Sequence, residues 1–193
     1  VQGGSPLSEG IEGLAREVLD TIGEIVLRER PQSMLLSGGV DTSLLAYAAS
    51  RYYRPTALTV ASKHTEAPDL RYARIVASTL GLKHEVVELT REEAISLIRP
   101  VVKATRSFDP MEIRGSVPLY AGLLRARDMG FESIMLGYGG DELFAGYPYM
   151  ISMDAKTLKE YIEYISRVMD FFSTNLAHSV GIRAVEPFRD PRR

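Results

Sequence analysis

The stretch MLLSGGVDTSLLAYAAS, Met34–Ser50, decides the fold. A short apolar run, Met34–Leu36, stops at Ser37-Gly38-Gly39. An apolar, Leu- and Ala-rich run of helical character follows from Val40 to about Tyr52. A strand that turns through glycines into a helix leaves the unpaired N–H groups and positive dipole end of that helix facing outward. Ser37, Thr42 and Ser43 add hydroxyl donors. Glycines let the backbone approach a ligand closely. Together these form a nest suited to phosphate. Asp41 would repel bare phosphate, and its presence makes sense if it holds a magnesium ion that bridges to the phosphates. The alternative is a plain strand-to-helix turn in which Asp41 complements the dipole. The spacing is not that of a Walker A loop, and no Gly-Lys-Ser/Thr occurs.

About 100 residues later, IMLGYGGDELFAGY (Ile134–Tyr147) repeats the design. An apolar run again ends at glycines and an acidic pair, Asp141-Glu142. Around these turns, apolar strands alternate with helical periodicity. Residues 7–29 read as an amphipathic helix that Ser8 could cap and Pro31 ends. Strands are expected at Thr56–Val60, Lys83–Leu89 and 133–136. A helix with Asp69 as N-cap should run through Leu80 and stop at Gly81. Thr90 and Glu93 form a capping-box pattern for a helix over 91–105. Residues 105–118 read as a long loop, with Pro118 opening a helix to about Met129. A further helix is centred near 157–172, and the closing GIRAVEPFRDPRR (181–193), with two prolines, suggests no clear element.

Alternating strands and helices predict an α/β fold with a doubly wound parallel sheet and additional helices after the second glycine loop. The N-terminal helix of residues 1–32 should pack on the sheet formed within 33–193. In such sheets ligands sit at the carboxyl ends of the strands, and both glycine turns lie on that edge.

Composition narrows the function classes. Net charge is −2 with no long run of either sign, so there is no electrostatic footprint for nucleic acid or an anionic membrane. With no cysteine, disulfides, thiolate metal sites and a cysteine nucleophile are excluded. No apolar run reaches the roughly 20 residues of a membrane helix, and the N-terminal residues lack signal-peptide character. A cytoplasmic protein is expected. His64, His84 and His178 lack metal-ligand spacing.

SGGVDTS resembles the S-G-G-x-D-S pyrophosphate loop of the N-type ATP pyrophosphatases, which share an adenine nucleotide alpha hydrolase-like fold. GYGGDELFAGY (Gly137–Tyr147) resembles the signature of asparagine synthetases. APDLRYARIVASTLGLKHEV (67–86), IRGSVPLY (113–120) and PFRD (187–190) match in order. The chain is thus similar, over about residues 33 to 190, to the synthetase domain of the asparagine synthetase and β-lactam synthetase superfamily.

The resemblance implies an amide-forming ligase. ATP and a carboxylate, aspartate or an analogue, give an acyl-adenylate and pyrophosphate, and ammonia or an amine then displaces AMP. Ser37, Gly38, Gly39, Asp41, Thr42 and Ser43 would grip the pyrophosphate, and Asp41 and Asp141 would ligate Mg2+. Gly137 would pack near the ribose and α-phosphate. Leu36 and Val60 would line the adenine, with ordinary strand core as the alternative. Tyr138 stands where asparagine synthetases place a glutamate and β-lactam synthetases a tyrosine. It would serve as a catalytic base if a carboxylate such as Glu160, Glu163 or Glu186 supported it, or would pack on the ribose. Gly146 and Tyr147 would shape the loop.

The pattern departs from the family in three places. No glutaminase domain precedes the matched part, so nitrogen would come from free ammonia or a glutaminase partner subunit. The family's domain continues further and supplies a lysine for adenylation. This leaves a truncated protein, a continuation outside the chain, or lost activity. In GIRAVEPFRD, Arg183 and Val185 occupy the family's Glu and Arg places, and Glu186 is shifted. A non-catalytic ATP- or AMP-binding protein or subunit is the alternative function, and a homodimer is an open expectation.

Overall fold

In the computed structural model, residues 6–63, 68–168 and 172–190 are described. Five strands form one parallel sheet: β1 (Ser33–Leu35), β2 (Thr56–Ser62), β3 (His84–Leu89), β4 (Ser133–Met135) and β5 (Arg183–Val185). Their order is β3-β2-β1-β4-β5, and every neighbouring pair is parallel. The chain walks outward from β1 to β3 and then returns to β1's other side. The strand order therefore reverses between β1 and β4, where an open α/β sheet leaves a crevice.

Helices α1 (Pro6–Glu29), α2 (Val40–Ser50) and α3 (Pro68–Leu80) cover one face. Ile22 and Val26 of α1 pack there with Met34, Leu36, Leu45 and Ala77. Helices α4 (Arg91–Thr105), α5 (Pro110–Asp128) and α8 (Ser173–Val180) cover the other face around Leu58, Val101, Leu123, Ile134 and Leu176. Helix α6 (Gly140–Phe144) and α7 (Ala155–Val168) follow the second glycine turn. Alternate strand residues enter opposite cores: Met34 and Leu36 face α1 and α2, whereas Leu35 packs on the α5 side. Among the described residues, no helix is long and apolar enough to cross a membrane.

Several expectations are corrected. The segment 105–118 is mostly helix, because α5 begins at Pro110. Asp109 caps it, accepting from the N–H groups of Met111 (2.7 Å) and Glu112 (3.2 Å), with Pro110 in the first turn. Aspartate followed by proline is cap chemistry, and it looks like loop when periodicity alone is read. Pro118 lies inside this helix and does not open it. The closing segment from Gly181, where no clear element is expected, contains β5 and a 3-10 helix, Pro187–Arg189, and α8 precedes it. Three-residue β5 is too short to show a pattern, and its partner β4 supplies its backbone bonds. The helix expected near 157–172 is described as α7 through Val168, and residues 169–171 lie outside the described residues. Ser8 lies within α1, which is described from Pro6, and Asp69 lies in the first turn of α3, so neither precedes its helix. In the amphipathic helix expected over 7–29, Ile11 and Leu14 are exposed, since the core reaches only the C-terminal half of α1.

A polar relay anchors the end of β1. Thr59 Oγ1 donates to the Leu36 carbonyl at 2.6 Å, so His84 Nε2–H donates to Thr59 Oγ1 at 2.8 Å. Burial, then the Arg74 charge, lowers the His84 pKa below its ordinary 6.5, against a smaller opposing effect of Glu85. The folded state therefore favours neutral His84. Its contribution is present above pH 6.5 and is lost as pH falls toward the depressed value. His84→Gln keeps an N–H donor but does not titrate. Its melting temperature should fall less than the native protein's between about pH 7.5 and about pH 5.5. Parallel curves would show that His84 carries no pH-linked stability. His64 lies outside the described residues.

Candidate active site

The first turn leaves β1 at Leu36 and enters α2. Its hydroxyls staple it. The Ser37 N–H donates to Thr42 Oγ1 (3.2 Å), the Gly39 N–H donates to Ser37 Oγ (3.2 Å), and Ser37 Oγ stands 3.0 Å from Thr42 Oγ1. Gly39 is the N-cap of α2 and no side chain caps that helix end. Gly38 has φ +80, and a Cβ there would stand 2.4 Å from the Ala73 nitrogen of α3. Its glycine identity thus serves both the left-handed turn and the close packing of α3.

The second turn leaves β4 and meets the first. Gly140 faces the Asp41 carboxylate so closely that a Cβ would come within 2.5 Å of its carboxyl carbon. Gly137 faces Thr42 in the same way, at 2.8 Å from its methyl group. The two turns line one cavity of about 580 Å³. Ser37, Gly39, Asp41, Thr42, Gly137, Tyr138 and Asp141 border it. The sequence-selected residues Leu36, Gly38, Ser43 and Val60 do not. Leu36 is 1% exposed in the core, and its neighbour Leu35 faces the cavity in its place. Val60 packs near Leu35 and Gly122. Ser43 lies in the first turn of α2, its N–H bonded to the Gly39 carbonyl at 3.0 Å.

Val40, Leu136, Gly139, Gly140, Glu142 and Tyr147 also border the cavity. Glu142 is the weightiest addition: it is a carboxylate only 5% exposed, accepting a hydrogen bond from the Tyr147 hydroxyl. Burial, followed by the charges of Asp141 and Glu142, raises the Asp41 pKa. Among the described residues no three-ligand His/Cys/Asp/Glu metal cluster occurs.

Tyr138 borders this cavity and a second one of about 240 Å³ between α5 and α8, shared with Glu112, Phe172 and Ser173. Its pKa is pushed up to about 12, by burial first and then by the Glu186 charge. Of the three carboxylates considered for it, Glu186 is the one that acts on it. Ser173 Oγ donates to one Glu186 oxygen, and Arg189 Nη1 donates to the other at 2.6 Å. Glu160 is on α7 beside Lys156, and Glu163 is on the same helix.

Known proteins agree with this architecture. The family profile described as asparagine synthase matches residues 14–184. The chain is 30% identical over 199 residues to asparagine synthetase B [glutamine-hydrolyzing] of Escherichia coli, covering 93% of this chain and 36% of that protein. It is 31% identical over 181 residues to asparagine synthetase [glutamine-hydrolyzing] of Zea mays, covering 86% and 30%. It thus spans about a third of the length of these relatives. In fold it is similar to the U34-tRNA thiolase NcsA of Methanococcus maripaludis. That likeness has a TM-score of 0.56 at 16% identity, covering 92% of this chain and 60% of the other.

The raised Asp41 pKa has a consequence for stability. Asp41 favours folding below its ordinary value of 3.8, and that contribution is lost as pH rises through the raised folded value. At neutral pH without a bound cation, ionised Asp41 therefore destabilises the fold. Asp41→Asn should raise the melting temperature in EDTA at neutral pH by about 1–3 °C, with the gain shrinking toward acid pH. A lower melting temperature would show that the carboxylate makes a stabilising contact instead.

Proposed function

Because the chain belongs to the asparagine synthase family, we propose that it is the carboxylate-activating part of an ATP-dependent amide-forming ligase. One observation carries the reading: Asp41 and Asp141, on turns a hundred residues apart, border one cavity with Ser37 and Thr42. The uncapped N-terminus of α2 and the hydroxyls of Ser37 and Thr42 would hold the pyrophosphate of ATP. Gly137 would lie near the ribose and α-phosphate. Leu35, taking the place expected of Leu36, would contribute to the wall for the base.

The donor set fits Mg2+. A carboxylate whose pKa neighbouring carboxylates raise, as Asp141 and Glu142 raise that of Asp41, is relieved by a divalent cation. Magnesium also takes one or two carboxylates alongside phosphate oxygens, not a full protein cage. Asp41 and Asp141 would hold it, and when bound it neutralises charge on the pyrophosphate leaving group.

In the proposed reaction, a carboxylate oxygen of the substrate attacks the α-phosphorus. The P–O bond to pyrophosphate breaks, leaving an acyl-adenylate. An amine nitrogen then attacks the acyl carbon and AMP leaves with the electron pair of the C–O bond. The protein's task is to hold carboxylate and phosphorus in line. At a pKa of about 12, Tyr138 is protonated at neutral pH. It can take the amine's proton only while giving its own to Glu186. A tyrosine here favours an amine nucleophile weaker than ammonia and an acceptor other than plain aspartate. Ammonia, a free amine or a glutaminase partner would supply nitrogen.

Two measurements on the complete natural protein test this. In calorimetry with Mg–ATP, Asp41→Ala and Asp141→Ala should each bind at least about tenfold more weakly, the loss of about 1.4 kcal/mol. Pyrophosphate exchange and amide formation should then be compared in the native protein, Tyr138→Phe and Tyr138→Glu. Tyr138→Phe should lower amide formation by at least about a hundredfold while leaving pyrophosphate exchange within about threefold. Efficient asparagine synthesis that is indifferent to Tyr138→Phe would contradict the role given to Tyr138. Unchanged Mg–ATP affinity in both aspartate variants would contradict the shared site.

A further inference from the structure

The second glycine turn closes on itself. Gly146 leaves room for the Asp141 carboxylate, where a Cβ would stand 2.0 Å from Oδ1, and its N–H bonds to the Asp141 carbonyl at 2.8 Å. The next residue, Tyr147, reaches back into the cavity wall, and its hydroxyl donates to Glu142 Oε1. A carboxylate as buried as Glu142 needs a donor to offset its lost hydration. The Tyr147 ring is fixed from behind. It stacks on Tyr149 with centroids 5.5 Å apart and planes 9° apart. Tyr149 meets Tyr161 of α7 edge-on at 6.0 Å, and their hydroxyls are 3.1 Å apart. Three tyrosines thus link the acidic wall of the cleft to α7.

We propose that Tyr147 is a positioning residue for the metal-bound nucleotide. It keeps Glu142 on the cavity wall as a hydrogen-bond acceptor and leaves Asp141 as the carboxylate of this turn that faces the cation. The proposal rests on reading the cleft as a magnesium–ATP site. Asp141 and Glu142 are adjacent, and both act on Asp41. Without the tyrosine hydroxyl, Glu142 would be free to turn inward and compete with Asp141 for the same place. The effect is therefore specific to nucleotide carrying its metal.

Tyr147→Phe keeps the stacked ring and removes only the hydroxyl. By calorimetry on the complete natural protein, its affinity for Mg–ATP should fall about fivefold, while affinity for ATP in EDTA should be unchanged. In a Glu142→Gln background the same substitution should cost less than about twofold, because the group it acts through no longer carries charge. Equal losses with and without magnesium would mean a disturbed loop and would overturn the proposal. So would a full fivefold loss in the Glu142→Gln background. A native protein that binds no Mg–ATP would overturn the reading of the cleft and this proposal with it. A native protein that binds, with Tyr147→Phe binding equally well, would overturn the positioning role alone.

Discussion

Backbone pairing between β1 and β4 sets Ser33 beside Ile134 and Met34 beside Met135, so the two glycine turns leave neighbouring strand ends. The opposite ends of the same strands are fastened by side chains. Ser33 Oγ donates to the Ser133 carbonyl at 3.0 Å, the Gln32 N–H donates to Ser133 Oγ at 3.2 Å, and the Glu132 N–H donates to Gln32 Oε1 at 2.6 Å. Register matters because a slip of one residue would exchange the two faces of each strand. Leu35 would then leave the cavity, and Asp41 would no longer oppose Gly140. The position of the cleft follows from the reversal of strand order, and its chemistry follows from the residues that this register brings together.

The crowding of acids at that junction works against stability. Asp41 is partly buried beside Asp141 and Glu142, an arrangement that raises its pKa and strains the ionised form. Like charges persist together where a ligand offsets them, and functional sites are where such costs collect. The partly buried Tyr138 beside Glu186, and Tyr147 on Glu142, extend the same polar layer around the cavity. Gly140 and Gly146 leave room for the Asp41 and Asp141 carboxylates, Tyr147 donates to Glu142, and Ser173 and Arg189 donate to Glu186.

The turns, the strand–helix alternation and the pair Asp41 and Asp141 were legible in the sequence. Glycines after an apolar run and an acid in the next turn are local signals with local causes. Other features were legible only in three dimensions. Leu36 was chosen over Leu35 because a three-residue apolar run does not say which face of the sheet each residue meets. The start of α5 was hidden because Asp109-Pro110 reads equally as loop or cap until the helix beyond it is seen. Strand β5 has too few residues for any period, and β4 supplies its pairing. Glu142 and Tyr147 became a pair only once α6 folded the chain back on itself. Glu186 could be named as a partner of Tyr138 but not separated from Glu160 and Glu163, because α8 and β5 bring it there.

The most direct measurement is a crystal structure of the complete natural protein with manganese and a non-hydrolysable ATP analogue, using anomalous scattering to locate the metal. If the two turns share one nucleotide, the anomalous peak lies between Asp41 and Asp141, with phosphates at the N-terminus of α2. A nucleotide bound elsewhere, or a metal held by neither aspartate, would contradict the shared site.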